Sequence, residues 1–204
     1  MTLRHAVLLV LLASPVVART PPPAPNWRAI VTDVDRGRLR VWREAFAESV
    51  AQARESGAGA EIDRAGALLR PDAGLGRPLP PAGDYRCRVI KLGAPHPAGL
   101  PYIAYGWFSC RIGPMRAGAA AFAKLDGSQR PVGMILDDGR RGVFVGAIAL
   151  GDERRALPYG RDRERDMVGA VERIGPARWR ILFPQPRWES LMDVMELSPK
   201  AAAR

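Results

Sequence analysis

The stretches DYRCRVIKLG (residues 84–93) and YGWFSCRIG (residues 105–113) set the architecture of this chain. Both are rich in β-branched and aromatic residues, which is typical of β-strands. The segment between them, GAPHPAGLP (residues 93–101), consists largely of residues that favour turns. We therefore predict an antiparallel hairpin from these two stretches.

Each stretch carries one of the two cysteines of the chain, Cys87 and Cys110. If the two lie opposite each other in the hairpin, its midpoint falls at residues 98–99, in the middle of the turn-forming segment. In an oxidising compartment we predict a structural disulfide between them, which contributes roughly 3 kcal/mol through the loop that it closes. A redox-active pair usually lies close in sequence, as in C-x-x-C, and this pair does not.

The N-terminus indicates export. Residues 1–18 read MTLRHAVLLVLLASPVVA, with a basic start, an apolar run and small residues before position 18, the pattern of a signal peptide. The apolar run covers about a dozen residues, fewer than the ~20 that a membrane-spanning helix needs. We predict cleavage after Ala18, a Pro-rich linker at 19–31, one domain at 32–199, and a tail at 200–204. The mature chain is then periplasmic or secreted and has no transmembrane segment.

From residue 84 onward, strand-like runs alternate with tight-turn signals such as Asp126-Gly127 and Asp138-Gly139. The predicted strands cover residues 84–92, 102–112, 119–126, 131–137, 142–150, 166–174, 178–184 and 190–197. Short connections between neighbours predict an antiparallel meander. A meander of about eight strands favours a barrel-like or calycin-like closure, so the predicted class is mainly β (α+β).

An N-terminal amphipathic helix is predicted from Thr32 to about Ser56. Thr32 is a capping residue with Asp35 three positions later, and Gly57 is a suitable stop. An apolar stripe follows helical spacing: Leu39, Trp42, Phe46, Val50 and Ala53. We expect this stripe to pack on the strands of its own domain, either across one barrel end or along the outside. A shorter helix is predicted over residues 60–69.

The chain is strongly basic, with a formal charge of +10 and 28 arginines against three lysines. One interpretation is a surface for an anionic envelope component or an acidic protein partner. The alternative is the codon usage of a GC-rich genome, because Ala, Gly and Pro are abundant as well. The chain has no repeats of basic and aromatic residues and is predicted to be exported, so we predict no nucleic-acid partner.

Few residues are suited to metal or cofactor chemistry. After removal of residues 1–18, His96 is the only histidine, and we place it in an exposed loop. This excludes histidine-rich metal sites, and the sequence has no G-x-S-x-G elbow, Walker loop or dinucleotide fingerprint. We predict no catalytic residue, no metal site and no cofactor.

The longest connection between predicted strands, residues 151–165, is the best candidate binding surface. With the residue that follows it, it supplies the candidate binding residues Tyr159, Arg161, Arg163, Arg165 and Asp166. An EF-hand beginning at Asp162 is excluded because Met167 and Arg173 occupy the positions that need Gly and Glu. The alternative is a solvated loop whose charges pair with one another.

Two other polar patterns are candidates for chemistry. Pairs of acids for glycoside hydrolysis can be drawn from Glu153, Asp162, Asp166 and Glu172, although their separation does not follow from the sequence. A polar network on adjacent strands is the second pattern, and its members are Arg86, Arg88, Glu172, Arg178 and Arg180.

Three segments carry a family resemblance: GDYRCRVIKLG (83–93), GSQRPVG (127–133) and YGRDRERDMVGAVERIGPARWRILFPQPRWESLMDVMELSP (159–199). They are similar to a family of exported bacterial proteins known as domain of unknown function 4893, over roughly residues 27–199. The resemblance implies a single domain and supplies no activity, cofactor or site residue.

Three functional hypotheses follow. The first is an exported, soluble, non-enzymatic barrel that binds a small ligand or a protein partner. The second is a hydrolase that uses carboxylates on envelope material, and the third is an electrostatic binder of anionic envelope polymers. A cavity lined by apolar groups favours the first, two carboxylates that face each other in a cleft favour the second, and a continuous arginine face without a cleft favours the third.

Overall fold

A computed structural model describes residues 25–76 and 79–200 of the chain. The predicted signal peptide, the first part of the predicted linker and most of the tail lie outside the described residues. The strands are β1 (Gly83–Leu92), β2 (Tyr102–Ala104), β3 (Phe108–Ile112), β4 (Ala119–Lys124), β5 (Gln129–Asp137), β6 (Gly142–Leu150), β7 (Asp166–Gly175), β8 (Arg178–Pro184) and β9 (Met192–Pro199).

The strands form one antiparallel meander that closes on itself. Each strand from β3 to β9 pairs with the next, and β1 pairs with both β3 and β9. The short β2 and β3 pair with the same edge of β1, β2 with its second half and β3 with its first half. The two strands therefore share one position, and the nine strands form an eight-stranded barrel. The predicted class and meander are confirmed, and within the described residues closure leaves no long unpaired sheet edge.

The predicted single strand over 102–112 is wrong, because the chain leaves the ladder at residues 105–107 and resumes as β3. The predicted register is also wrong by two residues. Cys110 lies opposite Tyr85, and Cys87 lies opposite Phe108.

The predicted disulfide between Cys87 and Cys110 is nevertheless confirmed. The two cysteines are diagonal neighbours on the same inward face, with Cα atoms 5.9 Å apart. Disulfides span this distance without strain on the backbone, so a direct cross-strand position is not required.

The helices precede the barrel as α1 (Trp27–Ile30), α2 (Asp33–Arg40), α3 (Trp42–Ala53) and α4 (Gly59–Ala65). Thr32 caps α2 as predicted, because its hydroxyl accepts the Asp35 N–H at 3.2 Å. The predicted single helix is two helices, since Val41 leaves helical geometry between α2 and α3. Gly57 has a φ of 98° and interrupts the helix where the sequence predicts its end. The short α1 lies inside the stretch predicted as a linker, and its Trp27 is buried.

Three core clusters lie against the barrel wall, one inside the barrel and two between its outer face and the helices. Inward side chains fill the barrel, among them Tyr85, Cys87, Cys110, Phe122, Phe144, Val171, Trp179, Ile181, Phe183, Met195 and Leu197. The predicted apolar stripe of α2 and α3 is buried. The α3 members and α4 pack on the outer face of β1, β8 and β9, through residues such as Ile90, Leu182 and Val194. The helices therefore cover the outside of the barrel and leave one of its ends open to loops.

Within residues 25–76 and 79–200, no helix has both the length and the apolar character needed to cross a membrane.

Candidate functional site

One end of the barrel carries the long connections between strands and the cavities that border buried lysines. It is formed by the turn at 125–128, the β6–β7 loop at 151–165 and the β8–β9 loop at 185–191. We call this end the barrel mouth. The apolar filling of the barrel stops below it, where the inward positions of β1 and β4 become lysines.

Two of the three lysines of the chain lie at the mouth and are buried. Lys91 continues the inward series Tyr85, Cys87 and Val89 on β1, and Lys124 continues the series that includes Phe122 on β4. Because side chains alternate along a strand, both ammonium groups point toward the barrel axis.

Lys91 is held by carboxylates. Its Nζ lies 3.1 Å from Asp193 Oδ2 and 3.3 Å from Glu189 Oε2, and Ser190 Oγ donates to Asp193 Oδ1 at 2.5 Å. Burial disfavours the charge, but the contacts with Asp193 and Glu189 outweigh it and raise the pKa of Lys91. Lys91 therefore has carboxylate partners that favour its charged form, although burial also raises the pKa of Asp193.

Lys124 has a different environment. Its Nζ donates to the carbonyl oxygens of Asp126 at 2.6 Å and Gln129 at 3.0 Å, and it lies 3.6 Å from the centroid of the Phe108 ring. Among the described residues, no carboxylate forms an ion pair with it. Burial lowers the pKa of Lys124 to about 8, even though Asp126 acts in the opposite direction.

A pocket of about 360 Å³ opens over both lysines, within the volume range of small-molecule sites. Its walls combine apolar and polar groups: Val89, Tyr105, Phe108, Ser128, Gln129 and Glu189, with Lys91 and Lys124. Gly127 closes one side with a φ of 83°. A Cβ atom there would lie 2.7 Å from Lys124 Nζ and 2.9 Å from the Phe108 ring, so only glycine permits this close approach.

The β8–β9 loop borders the pocket with an unusual backbone. Gln185 and Glu189 have φ values of 46° and 70°, in the left-handed region that non-glycine residues rarely adopt. Such conformations cost about 1–3 kcal/mol each and concentrate at binding sites. The Glu189 side chain is half exposed while it contacts the buried Lys91. The Lys91–Glu189 ion pair is one of several contacts of the loop, together with backbone hydrogen bonds from Gln185 and Leu191.

The predicted binding residues of the long connection separate into anchors and exposed groups. Tyr159 donates to Asp35 and accepts the Thr32 N–H at 3.1 Å, which ties the loop to α2. Arg165 donates to both carboxylate oxygens of Glu153 at 2.7 and 2.8 Å. The structure therefore brings Tyr159 and Arg165 into internal contacts.

Arg161 and Arg163 are exposed on the same loop. Arg163 lines a second groove beside the mouth, between α2 and the loop, together with Asp166 and Arg187.

Asp166 lies at the point where this groove meets the barrel. Its Oδ1 accepts the Gly160 N–H at 2.8 Å, and its buried Oδ2 has no hydrogen-bond partner among the described residues. Burial raises the pKa of Asp166. A cavity of about 20 Å³, large enough for one water molecule, connects Asp166 with Lys91 and Asp193.

The other polar patterns form structural pairs. Arg88 and Arg178 both donate to Glu196, at 2.6 and 2.5 Å, and Arg180 donates to Glu172. Arg86 does not join them and instead stacks 4.4 Å from the Trp107 ring. Glu153 and Glu172, two of the candidate acids for hydrolysis, each accept hydrogen bonds from an arginine. His96 is exposed in the turn between β1 and β2.

The sequence interpretation missed Lys91 and Lys124. Two signals point to them: lysine is rare in this arginine-rich chain, and period-two alternation puts each lysine on an otherwise apolar face. In the described part of the chain, no cluster of three or more His, Cys, Asp or Glu side chains is arranged to hold a metal ion.

Lys124→Met is expected to change the pH dependence of stability. Because the pKa of Lys124 falls from 10.5 to about 8 on folding, the unfolded chain holds a proton between these values that the folded chain has released. The free energy of unfolding of the unmodified protein should therefore rise relative to that of the variant between about pH 8 and 10.5. The full difference is about 3 kcal/mol. Urea denaturation of both proteins at several pH values measures it.

Lys200→Met is the matched control, since Lys200 is exposed. Tyr85 and Tyr159, whose pKa values burial raises to about 12, affect stability above pH 10 equally in all three proteins and cancel in the comparison. Parallel stability curves for the unmodified protein and Lys124→Met would contradict the depressed pKa.

Comparison with known proteins identifies the family and adds no activity. No curated protein matches the chain, and no solved structure matches it. The family model described as Domain of unknown function (DUF4893) matches residues 27–197, which include every described helix and all of the strands except the last two residues of β9. This match confirms the resemblance noted in the sequence, and the chain belongs to the DUF4893 family.

Proposed function

We propose that this chain is an exported binding module that takes a small carboxylic acid with an apolar body into the pocket at the barrel mouth. The observation that carries this proposal is Lys124, a buried ammonium group without a carboxylate partner among the described residues, in the wall of an open pocket.

The hydrogen bonds of Lys124 identify what the ligand must supply. An ammonium group has three donors, and two of them are directed to the carbonyl oxygens of Asp126 and Gln129. A ligand carboxylate would accept the third and provide the missing negative charge. A charge-assisted hydrogen bond of this kind contributes about 1.5–3 kcal/mol.

The remaining pocket wall favours an apolar body next to the carboxylate. Val89, Tyr105 and Phe108 present aliphatic and aromatic surface, and Tyr105 is partly exposed at the rim. Glu189 places a carboxylate at the entrance of the pocket and therefore disfavours ligands that carry several negative charges. Exposed Arg161 and Arg163 are the candidate rim contacts if the acid is part of a larger anionic envelope component.

The export part of the proposal rests on two features. Residues 1–18 have the pattern of a signal peptide, and the barrel contains a disulfide, which persists in oxidising compartments. A periplasmic location is therefore the proposed one.

Benzoate and hexanoate are suitable probes for this pocket. Labelling with lysine that carries ¹³C only at the ε-carbon yields three side-chain signals, one for each lysine. We expect saturable shifts of the Lys124 signal with both acids, and a higher apparent pKa of Lys124 in the complex because the carboxylate favours the ammonium form. Lys124→Met should weaken binding about tenfold or more, while Lys200→Met should bind as the unmodified protein does.

Two outcomes would overturn the proposal. The first is the absence of a saturable shift with either acid. The second is binding that Lys124→Met leaves unchanged, since the acid would then occupy another surface. Benzyl alcohol, which has a similar ring but no charge, should bind more weakly than benzoate.

A further inference from the structure

We propose that the side-chain amine of Lys124 also reacts with small aldehydes that enter the mouth pocket and forms a reversible imine with them. This inference rests on the pocket of the proposed function, but it concerns covalent chemistry with a second class of ligand. It assigns to the barrel a carbonyl-capturing site.

Burial of Lys124, without an ion-pair partner among the described residues, favours the neutral amine. Its nitrogen is buried against the Phe108 ring and is held by the carbonyl oxygens of Asp126 and Gln129 rather than by a carboxylate. Two charged groups influence its pKa: Asp126, whose carboxylate accepts the Ser109 N–H at 3.0 Å and favours the charged form, and Arg130, which opposes a second positive charge. Lys91 and Glu189 border the same pocket. Burial lowers the pKa of Lys124 to about 8, so about half of the amine is neutral at that pH.

Lys91 is a built-in comparison within the same pocket. It is equally buried, but its contacts with Asp193 and Glu189 raise its pKa and keep it protonated. Two lysines that border one pocket therefore differ in how readily they form the neutral amine, which nucleophilic attack requires. Both are lysines and both are buried, so neither property alone explains the difference.

The chemistry needs no oxidant, reductant or cofactor. The nitrogen lone pair attacks the carbonyl carbon, a C–N bond forms, and the C=O electron pair moves to oxygen, which takes a proton as the nitrogen loses one. The carbinolamine then loses its hydroxyl group as water, and a C=N bond forms. The balance is one amine and one aldehyde to one imine and one water. The protons that are transferred in these steps and the water that is released exchange with bulk solvent through the open barrel mouth.

The imine and the carboxylate complex should depend on pH in opposite ways. Imine formation increases as the pH approaches 8 because the neutral amine becomes more abundant. Carboxylate binding weakens above pH 8 because the ammonium form is lost. Opposite profiles at one residue would be difficult to explain by nonspecific modification of surface lysines.

The experiment uses the intact protein, benzaldehyde and cyanoborohydride, which reduces an imine to a stable amine. After labelling at pH 8, peptide mapping by mass spectrometry compares Lys91, Lys124 and Lys200 in the same molecule. Since the pKa of Lys124 is lowered to about 8 and the neutral amine is the nucleophile, we expect Lys124 to be labelled at least about tenfold faster than the exposed Lys200. Benzoate should protect Lys124 from labelling, and Lys200→Met should leave the labelling of Lys124 unchanged.

Labelling of Lys124 no faster than that of Lys200 overturns the inference. If the lysine NMR titration with benzoate still shows binding at Lys124, only the covalent chemistry fails and the proposed function stands. If benzoate does not bind at Lys124 either, the mouth pocket is not a ligand-binding site and the proposed function fails as well. Because the comparison is made within one unmodified protein, no variant needs to fold for the result to count.

Discussion

Replacing Arg180 with methionine is expected to lower the free energy of unfolding by about 3–5 kcal/mol, the range for breaking a buried ion pair on one side. Arg180 is fully buried between the outer wall of the barrel and the helices. Its removal would leave the Glu172 carboxylate buried with its main partner missing. We expect the loss to exceed the effect of any other single substitution that we propose.

The contacts of Arg180 explain the size of the effect. Its guanidinium donates to Glu172 Oε2 at 2.6 and 2.9 Å and lies 4.9 Å from the Phe46 ring on α3. It also donates to the backbone carbonyls that follow α4, those of Ala67, Leu68, Arg70 and Pro71, at 2.9 to 3.2 Å. One side chain thus joins the helical layer to β8.

Urea denaturation measures this prediction, and two variants serve as controls. Arg111→Met removes an arginine that is paired with Asp84 at the surface, and it should change stability by less than about 0.5 kcal/mol. The double variant Arg180→Met/Glu172→Met should recover part of the loss because no buried charge remains unpaired. A loss below about 1 kcal/mol in Arg180→Met would contradict the structural role given to this residue.

Removal of the disulfide is expected to have the second largest effect. The double variant Cys87→Ala/Cys110→Ala should lose roughly 3 kcal/mol, because the unfolded chain regains the freedom of the loop between the two positions. Both sulfurs are buried inside the barrel, so lost packing adds to this value. The measurement is the urea unfolding curve of the oxidised protein beside that of the double variant.

A reductant gives the disulfide experiment its internal control. Thiol treatment during unfolding should shift the curve of the unmodified protein toward that of the double variant, and it should leave the double variant unchanged. Coincident curves for the oxidised protein and the double variant would show that the crosslink adds no stability. Free thiols at both positions in protein recovered from the periplasm would contradict the proposed location as well.

The strands and the helix cap follow from local patterns. Alternation with period two, turn signals such as Asp126-Gly127, and the Thr32 cap each depend on residues a few positions apart. The prediction of one strand over 102–112 is wrong because it too is based only on residues a few positions apart. The break at 105–107 coincides with a one-residue shift in the register against β1, from Ile90 opposite Ala104 to Cys87 opposite Phe108, and short-range patterns do not contain that information.

The candidate site depends on contacts that the sequence does not display. Residues of the long connection, such as Tyr159 and Arg165, are candidates because of their charge and polarity, and in the folded chain both are engaged in internal contacts. In the sequence, Lys91 and Lys124 are isolated residues in apolar strands. Their importance appears only when both are seen to border one pocket.

An antiparallel meander, an outer amphipathic helix, a cysteine pair on neighbouring strands and membership of one family can all be inferred from the amino-acid sequence, because each is encoded in short-range periodicity or in residue identity. Only the folded barrel determines which inward positions are sealed in the core and which are open to the mouth. Closure joins β1 to β9 and brings Lys91 to Asp193, 102 positions away, while Lys124 is left without such a partner among the described residues. The physical reason is that burial and charge compensation are properties of the assembled barrel, so two chemically identical side chains acquire different pKa values only after the chain has closed.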